Sequence, residues 1–347
     1  MIRFFENENE KHLRSENYNF SFKKNDGQFF RWGKTLNDSP KSGLPEIVDI
    51  EISEVCGGIK GVPCSFCYKS NSSFQGKNMT LETFKQVISV LPESVCQIAL
   101  GIGDINGNPE LKEIILHCKE KGIVPNITIN GDNLTDEWVE FFSNHLGAIS
   151  VSVYDKEISY NAIKRLTDAG MSQVNIHQMV SKETLTRTFE IINDVQYDER
   201  LTNMNSLIFL SLKQKGRGKS FKKVTVDEFN SIIQSALENN IRFGFDSCSA
   251  LKFLNAVREH DQYSQFEMMS EPCESTCFSM YVNVEGHFYP CSFVEGVDEW
   301  RTGLDLTKIS NVDDFMKKVW FVDKVKQTRN NIIKAIEKNK SCSWFEI

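Results

Sequence analysis

Three cysteines lie close together in the stretch CGGIKGVPCSFC, which covers residues 56–67. Seven residues separate Cys56 from Cys64, and two residues separate Cys64 from Cys67. Thiolates are soft ligands for zinc and for iron–sulfur clusters, so this spacing predicts a metal site. A structural zinc site closes with four ligands, and no fourth cysteine or histidine lies nearby in the sequence. Three thiolates on one loop therefore favour a four-iron cluster with one iron left open.

Composition and charge limit the class of protein. The chain has 347 residues, 40% of them hydrophobic, and a formal net charge of -7. No basic face is evident, which argues against binding to duplex nucleic acid. The polar N-terminus lacks the apolar core of a signal peptide, and no apolar run approaches the roughly 18 residues of a membrane span. We therefore expect a cytoplasmic protein whose ten cysteines serve metal or catalytic chemistry rather than disulfides.

Strand and helix patterns alternate six times between residues 46 and 246. The first strand, IVDIEIS (47–53), leads into the cysteine loop, and a helix follows at 80–91. Five further strands, each followed by a helix, are predicted at 96–102, 124–130, 148–154, 174–180 and 206–212. This alternation predicts a parallel α/β sheet, either open or curled into a barrel. Ligands bind such folds at the carboxyl ends of the strands, which is where the cysteine loop lies.

The rest of the chain predicts two further units. Residues 1–45 are polar and broken by glycine and proline, so we expect an N-terminal extension with at most short elements around Phe29–Trp32. Residues 46–246 form the α/β core. Residues 247–347 contain a hairpin pattern with Gly286 at its turn and five cysteines, namely Cys248, Cys273, Cys277, Cys291 and Cys342. This part predicts a smaller cysteine-rich domain.

The cysteine loop and its position resemble the radical S-adenosylmethionine (radical SAM) enzymes. In that family three cysteines, usually spaced by three and then two residues, follow the first strand of a partial (βα)6 barrel of the TIM type. The second spacing matches here, and the first is four residues longer than in the family. The resemblance implies that Cys56, Cys64 and Cys67 hold a 4Fe–4S cluster. It further implies that the open iron binds SAM, whose reductive cleavage gives a 5′-deoxyadenosyl radical that abstracts a substrate hydrogen.

The resemblance extends to candidate SAM-binding residues at the strand ends. Phe66 matches the aromatic residue beside the adenine, and Gly103 with Asp104 matches the turn that receives the SAM amino group. Asn130 resembles the asparagine of the family's Thr-Asn-Gly, and Ser152 the serine near the ribose or carboxylate. The run KGRG after the sixth strand resembles a Gly-Arg-small turn of the same family. Each of these residue types also occurs in ordinary turns and caps.

The C-terminal cysteines resemble the auxiliary-cluster segment of family members with a SPASM or shorter twitch domain. Cys273, Cys277 and Cys291 resemble that segment in spacing, and Cys342 is placed to complete the ligand set near the C-terminal end. Cys248 is the alternative for a ligand position. The resemblance implies a second 4Fe–4S cluster, and a zinc site on the same thiols is the alternative.

These features predict a radical SAM enzyme that oxidises or crosslinks its substrate. Family members of this architecture act on peptides or on small metabolites, and we favour a peptide. The resemblance also implies an electron donor such as flavodoxin or ferredoxin. The alternative from a different class is a non-enzymatic zinc or iron–sulfur module, in which the cysteines only stabilise the fold.

Overall fold

The computed structural model describes residues 2–35 and 43–345. Within them the strands form one small antiparallel sheet and one ten-stranded sheet. Strands β1 to β4 are Arg3–Glu6, Glu10–Arg14, Asn19–Lys23 and Phe29–Trp32. Strands β5 to β11 are Ile47–Glu51, Gln97–Gly101, Val124–Ile129, Ala148–Ser152, Val174–Val180, Ser206–Ser211 and Phe243–Phe245. Strands β12 to β14 are Ser279–Val282, His287–Tyr289 and Leu304–Asp305.

The helices fall into two groups. Helices α1 to α6 follow strands β5 to β10 and are Leu81–Ser89, Leu111–Glu120, Asp136–His145, Lys156–Asp168, Leu185–Tyr197 and Val226–Glu238. Helices α7 to α10 are Ala250–Ala256, Tyr263–Met269, Val312–Phe315 and Asp323–Glu337. Across residues 2–35 and 43–345, every helix is too short or too polar to cross a lipid bilayer.

The six predicted strand–helix units are confirmed, and neighbouring strands from β5 to β11 are all parallel. The strand order is β11-β10-β9-β8-β7-β6-β5-β12-β13-β14. Alternate residues of each strand, such as Val48, Ile50 and Ile98, are fully buried in one core with helix residues such as Phe84 and Ile114. Because strand side chains alternate between the two faces, the intervening positions face the inside of the curved sheet. The fold is the expected α/β partial barrel.

The N-terminal segment contains more structure than we expected. The expectation of short elements around Phe29–Trp32 alone is wrong, because β1 to β4 form a complete antiparallel sheet. Leu13, Phe20 and Phe22 bury their side chains in a second apolar cluster that also includes Cys96 at the foot of β6. The sheet therefore packs against the base of the barrel. Residues 36–42 of the predicted extension lie outside the described residues.

The C-terminal hairpin belongs to the large sheet. The predicted hairpin is confirmed by the antiparallel pairing of β12 with β13, and Gly286 at its turn has a φ of +79°, which glycine adopts readily. Strand β12 also pairs in parallel with β5, so that Tyr281 lies opposite Asp49. The large sheet thus contains strands from both sides of residue 246. The division into domains at 46–246 and 247–347 stays a prediction. The cysteine loop leaves a strand that has neighbours on both sides.

A buried ionic cluster holds the N-terminal sheet to the barrel. The guanidinium of Arg31 on β4 bonds to the carboxylates of Glu46, Glu271 and Glu274. The hydroxyl of Tyr18 donates a hydrogen bond to Glu46, whose side chain is 0% exposed. Burial raises the pKa of Glu46 to about 7, although the positive charge of Arg31 acts to lower it. A buried carboxylate of this kind depends on its cation, because desolvation of an unpaired charge is costly.

Replacement of Arg31 by methionine should lower the free energy of unfolding by about 3–5 kcal/mol, since it leaves the carboxylate of Glu46 buried without its cation. Urea unfolding followed by circular dichroism measures the change. The control is Lys164→Met, which breaks a half-exposed ion pair with Asp168 and should cost at most about 0.5 kcal/mol. Equal losses in the two variants would contradict the role assigned to Arg31.

Candidate functional site

The cysteine loop leaves the carboxyl end of β5 and returns alongside its own start. The backbone N–H of Cys56 donates to the carbonyl of Ser72 over 3.2 Å. Within the loop, Ile59 and Val62 exchange two backbone hydrogen bonds of 3.1 and 2.9 Å. These bonds close a tight four-residue turn that takes up the extra length of the first cysteine spacing. The turn therefore brings the chain on its two sides close together.

The three thiols of the loop are neighbours. All are free and half-buried, and the backbone N–H of Gly58 donates to Cys56 Sγ over 3.4 Å. Burial raises the pKa of Cys64 to about 11, and the thiols of Cys56 and Cys67 add to the increase. Negative charge on Cys56 or Cys67 therefore opposes ionisation of Cys64. A metal ion or cluster reverses this preference because its positive charge stabilises the thiolates.

The turn after β6 lies against Cys56. A Cβ atom at Gly103 would lie 2.5 Å from Cys56 Sγ, closer than side chains approach one another, so glycine is required there. The carboxylate of Asp104 accepts the N–H of Asn106 over 2.9 Å. Its charge is one of the factors, after burial and the thiol of Cys67, that raise the pKa of Cys56. The structure thus brings Gly103 and Asp104 beside the first cysteine.

Asn130, at the end of β7, joins the cysteine loop to the turn after β6. Its side-chain amide donates to the carbonyl of Gly58 over 3.0 Å and to that of Gly103 over 3.3 Å. Its side-chain oxygen accepts the N–H of Asp132 over 2.9 Å. The buried Asn130 side chain is therefore fully engaged in positioning backbone around the cysteines.

The remaining predicted residues are Phe66, within the cysteine loop, and Ser152, at the end of β8. The ring centre of Phe66 is 5.1 Å from that of Tyr154 and 5.8 Å from that of Phe221. Burial and then the thiol of Cys64 raise the pKa of Tyr154, which places its hydroxyl near the cysteines. Tyr154 is not among the residues predicted from the sequence, and its position two residues after Ser152 was the available signal. Ser152 is buried at the end of β8.

Arg217, in the loop after β10, holds the cysteine loop at the same carboxyl edge of the sheet. Its backbone N–H donates to the carbonyl of Cys67 over 3.0 Å. Its guanidinium donates to the carbonyls of Cys64 over 2.8 Å and Asn71 over 3.0 Å. The KGRG run noted in the sequence therefore supplies a clamp, formed by Arg217, which fixes the backbone on both sides of Cys67.

A buried network of charges lies beneath the cysteine loop. The ammonium of Lys69 contacts the carboxylate of Glu51 over 2.9 Å and the hydroxyl of Tyr281 over 2.8 Å. It also bonds to Glu295, beyond the C-terminal hairpin. Lys215 donates to the backbone carbonyl of Glu295 over 2.7 Å. These bonds connect the loop, β5 and the hairpin. They could not be predicted from the sequence because the partners are distant along the chain.

Two titratable side chains face the barrel interior without a hydrogen bond or ion pair within the described residues. Asp49 lies on β5 opposite Tyr281, and His177 lies on β9 opposite Ser152. Asp49 is accessible to solvent, and the protein atoms around its carboxylate raise its pKa to about 6. Burial lowers the pKa of His177 to about 4, so its imidazole is neutral at pH 7. Both groups can accept a proton there.

Four of the five C-terminal cysteines surround one another. Burial raises the pKa of Cys291 to about 12, and the thiols of Cys248 and Cys342 add to it. The thiol of Cys273 is affected in the same way by Cys291 and Cys342, and to a smaller extent by Cys277. Cys277 has different neighbours and is 5% exposed. Burial raises its pKa to about 11, and the positive charge of Arg329 acts to lower it.

Neither cysteine set converges on a single point. Among residues 2–35 and 43–345, no three His, Cys, Asp or Glu side chains are arranged as ligands of one metal ion. A four-iron cluster is wider than a single ion, so its thiolates stand further apart around it. The free, neighbouring thiols of both sets are compatible with such a cluster.

A scan against protein-family models and a search of curated proteins found no match. Solved structures of SuiB from Streptococcus suis do match. One crystal structure of SuiB superposes with a TM-score of 0.70 at 12% identity, covering 98% of this chain and 98% of SuiB. This chain has the radical SAM fold.

Two further SuiB structures support the same assignment of the radical SAM fold. SuiB bound to S-adenosylmethionine matches with a TM-score of 0.64 at 15% identity, over 88% of this chain and 76% of SuiB. SuiB bound to its precursor peptide SuiA matches with a TM-score of 0.64 at 17% identity, over 82% of this chain and 66% of SuiB. In that last comparison the chain spans about two thirds of SuiB. At these identities the similarity establishes the fold.

Replacement of Arg217 by methionine should loosen the cysteine loop without unfolding the barrel. A hydrogen bond from a charged donor contributes about 1.5–3 kcal/mol, and 1.4 kcal/mol corresponds to about a tenfold change. The amides of Cys67 and Ser70, which are bonded within the loop, should therefore exchange with solvent deuterium at least about tenfold faster. Lys219→Met, at an exposed neighbouring position, should leave this exchange unchanged. Unaltered exchange in Arg217→Met would refute the clamp.

Proposed function

We propose that this protein is a radical SAM enzyme that abstracts a hydrogen atom from a peptide and thereby oxidises or crosslinks it. The observation that carries the proposal is the meeting of Cys56, Cys64 and Cys67 at the carboxyl end of β5. The predicted SAM-binding residues from the ends of the next strands surround these thiols, in a chain with the radical SAM fold.

The donor set of the loop suits a 4Fe–4S cluster. Its thiols are unpaired, and the N–H of Gly58 is bonded to Cys56 Sγ, a type of bond that tunes cluster thiolates. Cys56, Cys64 and Cys67 would hold the cluster and leave one iron for SAM. When bound, these cofactors supply the 5′-deoxyadenosyl radical. The protein positions the reactants and excludes water.

The surrounding residues would hold SAM. The carboxylate of Asp104 would accept hydrogen bonds from the SAM ammonium, and the missing side chain of Gly103 leaves room beside the thiol. Asn130 fixes the backbone at both of these positions, Ser152 would bond the ribose or carboxylate, and the ring of Phe66 would contact the adenine. Each role matches the charge or shape of the SAM group concerned.

The barrel interior offers a place for the substrate. Asp49 and His177 face this space with side chains that are free to bond a substrate or take up its proton. Support for a peptide comes from SuiB, which has been crystallised with the precursor peptide SuiA and matches this chain with a TM-score of 0.64. A small metabolite would fit the same chemistry.

The C-terminal cysteines would hold a second 4Fe–4S cluster, with Cys273, Cys291 and Cys342 among its ligands. An electron donor such as flavodoxin or ferredoxin would supply the reducing electron. All ten cysteines are free, which suits a reducing compartment such as the cytoplasm.

Alanine at Cys56, Cys64 or Cys67 should abolish SAM cleavage while the chain stays folded. The measurement is 5′-deoxyadenosine formed after anaerobic reconstitution with iron and sulfide and incubation with SAM and dithionite. Cys118→Ala, at a buried core position, is the control and should retain cleavage. A wild-type protein that stays colourless and binds zinc would overturn the proposal in favour of a structural metal module.

Replacement of Asp104 by asparagine should weaken SAM binding by about 1.5–3 kcal/mol, the contribution of a hydrogen bond to a charged group. Calorimetry on the reconstituted protein measures the affinity. Asp136→Asn removes a fully exposed carboxylate on helix α3 and should bind SAM as the wild type does. Equal affinities in the three proteins would show that Asp104 does not contact the SAM ammonium.

A further inference from the structure

Cys277 lies on the side of the N-terminal sheet. Its carbonyl accepts the N–H of Gly43 over 3.0 Å, and the carbonyl of the preceding Thr276 accepts from Arg329 over 2.5 Å. The ring of the following residue, Phe278, stacks on Tyr18 with 5.8 Å between the ring centres. The backbone around Cys277 is therefore fixed between helix α10 and the base of the barrel.

Cys248 lies in the turn that follows β11. Ser249 N–H donates to the carbonyl of Asp246 over 2.7 Å, and the hydroxyls of Ser211 and Ser249 are 2.6 Å apart. Lys213 forms an ion pair with Asp246, and its ammonium is 5.0 Å from the ring centre of Phe293. The turn with Cys248 thus adjoins the segment that follows Cys291.

The segments with the other three C-terminal cysteines meet at the same place. The rings of Phe293 and Phe345 are 6.5 Å apart, which brings the segment after Cys342 against the segment after Cys291. The hydroxyl of Ser275, midway between Cys273 and Cys277, donates to the carbonyl of Pro290 over 2.7 Å, which ties this segment to the residue before Cys291.

Cys342 also has the surroundings of a metal ligand. Its sulfur accepts the backbone N–H groups of Trp344 and Phe345, each over 3.4 Å. Amides directed at a sulfur stabilise the thiolate form that binds iron. The electrostatics agree with this grouping, because the thiols of Cys273 and Cys342 contribute to the raised pKa of Cys248.

We infer that Cys248, Cys273, Cys291 and Cys342 hold the auxiliary 4Fe–4S cluster, and that Cys277 is a buried structural residue. This inference rests on the proposed function for the presence of that cluster. It replaces one of the four ligands expected from the sequence. The new ligand comes from the loop after the last barrel strand, so the cluster would join the barrel to the C-terminal hairpin.

Iron analysis of three variants tests the assignment. Wild-type protein reconstituted anaerobically with iron and sulfide should bind about eight irons, the content of two 4Fe–4S clusters. Cys248→Ala should bind half of this amount, and Cys277→Ala should bind all of it. Cys118→Ala, another buried cysteine, is the matched control. Iron, acid-labile sulfide and the electron paramagnetic resonance of the reduced clusters are the readouts.

A second set of variants controls for misfolding and separates the iron bound at the C-terminal cysteines from the iron bound at the cysteine loop. The Cys56/Cys64/Cys67→Ala triple variant should retain about four irons. Adding Cys248→Ala to it should remove these irons, whereas adding Cys277→Ser should leave them bound. Circular dichroism confirms folding in each case. Loss of iron with Cys277→Ser but not with Cys248→Ala would overturn the assignment, as would a triple variant without iron. Full iron content in a wild type that forms no 5′-deoxyadenosine would reject the proposed function but keep the ligand set.

Discussion

The parallel pairing of β5 with β12 is the interaction on which the rest of the structure depends. Strand β5 leads into the cysteine loop, and β12 begins the hairpin that leads to Cys291. Because the two strands lie side by side, the rings of Tyr68 and Phe293, one beside each cysteine set, are 4.4 Å apart between centres. The segments next to the two cysteine sets therefore meet beside the barrel interior.

The charged and titratable side chains at the barrel interior are of two kinds. Lys69 and Lys213 are buried and paired with carboxylates, so they contribute to shape and fix the loops that carry the cysteines. Asp49 and His177 have no such partners among the described residues, and burial shifts the pKa of each toward its neutral form. Unpaired groups of this kind are available to a bound substrate, whereas paired ones are not.

The sequence predicted those parts of the molecule that depend on local patterns. The six strand–helix units follow from side-chain periodicity, and the cysteine loop follows from spacing. The N-terminal sheet was missed because its strands are short and have polar residues on the outer face, although NFSFK alternates and Asp26–Gly27 is a turn signal. Spacing favours Cys277 as a ligand because it is near Cys273 in sequence, whereas the closeness of Cys248 to Cys273 and Cys342 depends on the fold. Contacts such as Lys69 to Glu295 join distant residues and leave no local pattern.

The distance along the chain between β5 and β12 also sets the order of assembly. Ile47 pairs with Ser279, so synthesis must pass through the whole barrel before β5 receives its second neighbour. Until then β5 is an edge strand with unpaired backbone groups, and an exposed edge can pair with other chains. Contacts between such distant residues also form late in folding. The nascent chain thus presents its cysteine loop beside an open strand edge before the hairpin pairs with that edge.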